Sequence, residues 1–151
     1  MTKSVLFLRI AAVLTFIHAV LHTIGGVFGK AGPGPASVAV EAMKMNPFLW
    51  AGHLRSFWDF YRGLGLCVTI LLSAEAIVFW QLGSLAKTDA RRLRPILATF
   101  FVAYAVMAVN SYTYFFLGPV ITEIFIAACL GLAMVTAEFP AAAYAGTPQR
   151  A

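Results

Sequence analysis

The chain has 151 residues, of which 61% are hydrophobic and 11% charged, with a formal net charge of +5; its mean hydropathy is +0.84. Soluble domains carry about 25% charged residues, so there is too little polar surface here to cover a core in water. The basic residues sit beside apolar runs, where they act as topology signals and anionic-lipid contacts; this excludes nucleic acid as a partner.

Four runs are long enough to span about 30 Å of hydrocarbon, which takes roughly 20 helical residues. The first goes from about Val5 to Phe28 and contains Arg9, His18 and His22. It is too long for a signal peptide, Arg9 interrupts it, and no small-x-small cleavage site follows, so it is expected to remain a helix. A long connection follows, from about Gly29 to Phe60. It opens on the breakers Gly32-Pro33-Gly34-Pro35, reads as a short helix over Ser37 to Met45, and breaks again at Asn46-Pro47. A connection of this length is usually functional, and this one is expected to cap the outer end of a bundle.

The second run goes from about Tyr61 to Leu82 and contains Glu75; a short basic loop from Lys87 to Arg94 follows it. The third begins after Pro95 and continues to about Phe116. A tight turn at Leu117-Gly118-Pro119 leads into the fourth, from about residue 120 to Glu138, and an alanine-rich tail from Ala141 reads as disordered. The fold class expected is therefore all-α: one antiparallel four-helix transmembrane bundle with a long, partly helical first loop. Seven of the eleven basic residues (Lys3, Arg9, Lys87, Arg91, Arg92, Arg94 and Arg150) fall at the end shared by both termini. By the positive-inside rule both termini are cytoplasmic.

Depth then groups the polar side chains. At a rise of about 1.5 Å per residue, Arg9 and Glu75 lie about 6 and 9 Å above the cytoplasmic edge, where they read as a structural ion pair. By the same rule His18, His22, Asn110, Tyr114 and Glu123 fall about 20–27 Å up, at the level of Arg55, Asp59 and Arg62. His18 and His22, Arg55 and Asp59, and Asn110 and Tyr114 are each four apart, so each pair shares a helix face. Together these eight residues describe an outward-facing polar pocket.

Paired histidines one turn apart suit a transition metal, with His53 as a third ligand, but the zincin glutamate is missing because Ala19 follows His18. Haem would need ligands from different segments, such as His22 and His53. The aromatic run Phe57-Trp58-Asp59-Phe60-Tyr61 suits a membrane–water interface, and the flanking Arg55 and Arg62 suit an anionic or carbonyl-bearing ligand. Cys67 and Cys129 read as free thiols, and Gly25, Gly26, Gly63, Gly65 and Gly131 as points of close helix approach. No cofactor is named by any motif.

The segment Arg55 to Leu66, with His18 and His22 upstream and Trp80-Gln81-Leu82-Gly83 at the end of the second run, resembles a family of small uncharacterised bacterial four-helix membrane proteins. More distantly the architecture is similar to that of DoxX-like proteins. The resemblance implies a bacterial inner membrane and a loose tie to redox and quinone settings. The leading expectation is a membrane protein whose pocket takes a small hydrophobic, quinone- or lipid-like ligand. The alternatives are a small quinone- or metal/haem-linked oxidoreductase using His18, His22, Arg55 and Glu123, and an accessory subunit of a homo-oligomer or larger membrane complex.

Overall fold

The computed structural model describes residues 2–137; the expected end of the fourth helix at Glu138, the tail from Ala141 and Arg150 lie outside the described residues. The protein is mostly helical, with four long helices, one short helix and a small hairpin. Helix α1 (Lys3–Leu21) passes directly into a π-helical segment, His22–Val27, in which the Phe28 N–H reaches back five residues to the Thr23 carbonyl. Helix α2 (Pro35–Met45) is the short helix expected inside the first loop; Pro35 opens it, where no N–H is needed, and Asn46 ends it.

Strands β1 (Phe48–Trp50) and β2 (His53–Arg55) then form a hairpin that the sequence reading missed. Its two-residue turn, Ala51-Gly52, has φ of 47° and 80°. Two positive values are what a type I′ turn requires, and alanine accepts one only at a cost.

Helix α3 (Phe57–Asp89) is 33 residues long, which at about 1.5 Å per residue makes roughly 50 Å, far more than about 30 Å of hydrocarbon. It starts before Tyr61 because Ser56 and Asp59 cap it reciprocally. The Ser56 N–H donates to Asp59 Oδ2 at 2.8 Å, and the Asp59 N–H donates to Ser56 Oγ at 3.2 Å. It runs past Leu82 and through Gly83 with no proline before Asp89, which caps a 3₁₀ turn, Ala90–Leu93. Helices α4 (Arg94–Tyr114) and α5 (Leu117–Val135) complete the chain. The link between them is Phe115-Phe116; the expected turn residues Leu117-Gly118-Pro119 form the first turn of α5 instead.

The described residues cluster into two compact units, one of residues 2–14 and 76–137 and one of Thr15–Glu75. In the first, Val5 and Leu8 of α1, Phe79 and Leu82 of α3, Leu97 and Tyr104 of α4, and Ile126 and Leu130 of α5 form one core. Within it α4 and α5 are antiparallel. Arg94 at the start of α4 donates to the carbonyls of Met134 and Ala137 at the end of α5, both at 3.1 Å. At the other end Ser111 of α4 meets Glu123 of α5. Arginine there satisfies carbonyls that a helix end leaves without partners. In the second unit, α3 and the end of α1 are joined by hydrogen bonds described below, and Phe48 and Trp50 of the hairpin lie on Phe57 and Phe60, with centroids 4.9–6.2 Å apart.

Among the described residues three helical stretches are long and apolar enough to cross a membrane: Lys3–Val27, Phe57–Tyr114 (α3 and α4 run together) and Leu117–Val135. Their outer faces match. On α1, Leu6, Ile10, Val13, Ile17 and Leu21 are all exposed, as is Ile24 of the π segment, while Ser4, Thr15 and His18 are buried among Val5, Leu8, Ala11 and Ala12. A helix in water would not leave so long an apolar stripe uncovered.

Replacing Ala51 with Asn supplies the residue that a type I′ turn favours. The hairpin is expected to gain about 0.5–1 kcal/mol, seen as slower amide exchange across Phe48–Arg55 in purified protein. Faster exchange would contradict the turn assignment.

Candidate functional site

The residues expected to line one pocket are divided between the two units. His18, His22, Arg55, Asp59 and Arg62 belong to Thr15–Glu75, as does the candidate metal ligand His53, and Asn110, Tyr114 and Glu123 belong to the other.

In the second unit the sequence His22-Thr23 meets α3 through a run of hydrogen bonds. The Gly65 carbonyl, inside α3, also accepts from His22 Nε2 at 3.0 Å and lies 3.2 Å from Thr69 Oγ1. A carbonyl only accepts, so the neutral His22 ring carries its proton on Nε2. Thr23 Oγ1 donates to the Ala19 carbonyl at 2.6 Å and lies 2.9 Å from Thr69 Oγ1. The Tyr61 hydroxyl donates to the Gly26 carbonyl at 2.9 Å. These bonds satisfy groups that a π-helical segment turns away from the ordinary ladder. Close approach requires Gly65, where a Cβ would begin 2.9 Å from Val27 Cγ2; by contrast, Gly25 and Gly63 have nothing within 4 Å.

The π segment ends at a cavity of about 320 Å³, near the lower end of the ~300–1,000 Å³ range of small-ligand pockets. One wall is the stretch from Val27 to Ala31, the second is α2 through Ser37, Val40, Glu41 and Lys44, and the third is Trp58 and Arg62 of α3. Lys44 forms an ion pair with Glu41 at 2.9 Å and lies 5.1 Å above the Trp58 ring; the Arg62 guanidinium lies 5.1 Å from the centre of Phe28. Of the pocket residues named from sequence, Arg62 alone lines this cavity. Lys30, Glu41, Lys44 and Trp58 join it from segments whose meeting depends on the fold of the long loop.

The remaining residues serve other ends. Asp59 Oδ2 accepts from the Ser56 N–H and hydroxyl, so this carboxylate caps α3. Arg55 donates to the neighbouring Leu54 carbonyl at 2.8 Å. His18 is buried, and its Nδ1 has no hydrogen-bond partner among the described residues. His53 is exposed on β2. Among the described residues no three His, Cys, Asp or Glu side chains come together as a metal ion requires, so His18, His22 and His53 are not assembled as a metal centre.

In the first unit Glu123 is buried, and its Oε1 accepts from Ser111 Oγ at 2.9 Å; Oε2 is buried with no partner among the described residues. Asn110 and Tyr114 are exposed on α4. Sequence reading singled out these two and missed Ser111, because depth along a run places a residue without fixing the face it occupies. Arg9 donates to Ser84 Oγ at 2.9 Å and lies 3.5 Å from the centre of the Trp80 ring. Both cysteines are free.

Comparison of the chain with protein-family models, curated proteins and solved structures finds no match.

Substituting Ser111 with Ala strands a buried carboxyl group with neither oxygen bonded to a described residue. A loss of about 1–2 kcal/mol is expected in detergent unfolding titrations. The loss should vanish in a Glu123→Met background, which has no acceptor oxygen, if the two side chains act as a pair. Full stability of the single variant would show that the bond carries no weight.

Proposed function

We propose that the protein is an integral membrane protein of the bacterial inner membrane that binds a small lipid- or quinone-like amphiphile in a pocket on its outer side. It crosses four times as an antiparallel bundle with both termini cytoplasmic. This topology is supported by three apolar helical stretches, the length of α3, and the concentration of basic residues between Lys87 and Arg94.

One observation carries the binding reading: a cavity of about 320 Å³ walled by charged and aromatic side chains, at the point where the apolar faces end. Phe28, which borders it, is exposed, as are Ile24 of the π segment and Leu64 of α3. A polar recess beside an apolar wall is the shape complementary to a molecule with one polar and one hydrocarbon end. The loop that forms the recess is held by features unneeded for simple connection: the hairpin, the capped α2 and the aromatic contacts at the start of α3. No bond-making chemistry is assigned, and the role is binding or delivery.

Val40 faces the cavity from α2, and Val40→Trp fills it with an indole. Native mass spectrometry of protein released from membranes is expected to show an amphiphile bound one-to-one to the unaltered chain and absent from Val40→Trp at unchanged helicity. Equal retention by both proteins would overturn the assignment.

A further inference from the structure

The charges around the cavity are unevenly matched. Lys30, Lys44 and Arg62 line it together with one carboxylate, Glu41. Glu41 is already bonded to Lys44, three residues on, at 2.9 Å. Asp59, three residues before Arg62, has its carboxylate bonded to Ser56 and acts on Arg62 only through space, without a direct bond. Lys30 and Arg62 therefore form no hydrogen bond or ion pair among the described residues, although both line the same recess. Arg62 is nevertheless held in place, 5.1 Å from the centre of the Phe28 ring, as Lys44 is by Trp58. A cation resting on a ring face is oriented without spending its N–H donors. Like charges around one concavity repel and raise its affinity for an anion.

We infer that the cavity recognises an anionic head group of the phosphate class, with Arg62 and Lys30 as its donors and Glu41 as a built-in counter-ion to Lys44. This rests on the amphiphile-binding reading above and adds the chemistry of the polar end. A planar carboxylate would satisfy the guanidinium fork alone. A tetrahedral phosphate presents oxygens in several directions, which suits donors arriving from the loop after the π segment, from α2 and from α3. Binding also gives Lys44 a second acceptor, so Glu41 competes with the ligand.

The test is calorimetric titration of the detergent-purified full chain with dihexanoyl phosphatidylglycerol, dihexanoyl phosphatidylcholine and inorganic phosphate, each lipid below its micellar concentration. The phosphatidylglycerol is expected to bind about tenfold more tightly than the phosphatidylcholine. Arg62→Gln and Lys30→Gln should each weaken it by about tenfold, and Glu41→Gln should tighten it. Lys30 lies outside every helix, so its variant remains readable even if Arg62→Gln fails to fold. Displacement by inorganic phosphate at similar concentration would identify free phosphate as the source; resistance to displacement would identify the lipid. Equal affinity for the two lipids, or an unchanged phosphatidylglycerol affinity in both charge variants, would overturn the anionic assignment. In that event binding that is still lost in Val40→Trp would leave the cavity reading standing, and binding of no probe at all would remove both.

Discussion

A chain solvated by hydrocarbon has nothing outside itself to bond with, and this constraint orders the rest of the structure. Backbone groups must close on themselves, which favours helices, and polar side chains must turn inward to meet one another. The exposed face of α1 is a stripe of leucine, isoleucine and valine, and its buried face sets Ser4, Thr15 and His18 among Val5, Leu8, Ala11 and Ala12. An apolar stripe left uncovered is what a hydrocarbon solvent tolerates and water does not.

The same constraint explains how the helices are joined in each unit. Burying apolar area against other apolar area gains little when the solvent is itself apolar, so specific polar bonds and close approach matter more. In the first unit Arg94 closes the end of α5 and Ser111 holds Glu123, fixing the α4–α5 hairpin at both ends. In the second, His22, Thr23, Tyr61 and Thr69 join the end of α1 to α3, with Gly65 allowing contact with Val27. Every one of these bonds uses a short side chain or a backbone carbonyl, which keeps the helices near. Also in the second unit, Lys30, Glu41, Lys44 and Arg62 gather where the long loop folds back, and that is where the cavity lies.

Sequence reasoning reached the helices because apolar runs of about twenty residues leave a strong signal. The breakers Gly32 to Pro35 and Asn46-Pro47 also located α2 correctly to within two residues. The hairpin escaped because each strand is only three residues long and its turn, Ala51-Gly52, lacks the Asn-Gly signature. The π segment escaped because Gly25-Gly26 inside an apolar run reads equally well as a packing surface. Asp59 and Arg62 looked alike as charged neighbours, and only the Ser56 cap separates a helix-ending carboxylate from a cavity-lining cation. Lys30, Glu41 and Lys44 lie up to 14 positions apart in a loop, and no periodic pattern could bring them together before the loop's own fold was known.

Cys67 offers the most direct check that the exposed apolar surface faces lipid. Its side chain is exposed on α3, in the apolar stretch beyond Arg62. In intact cells a membrane-impermeant maleimide should leave this thiol unmodified, while a cysteine placed at Ser37, beside the cavity, should react from outside. Rapid labelling of Cys67 in the undisturbed membrane would mean that water reaches that face, and the lipid-solvated bundle would have to be abandoned.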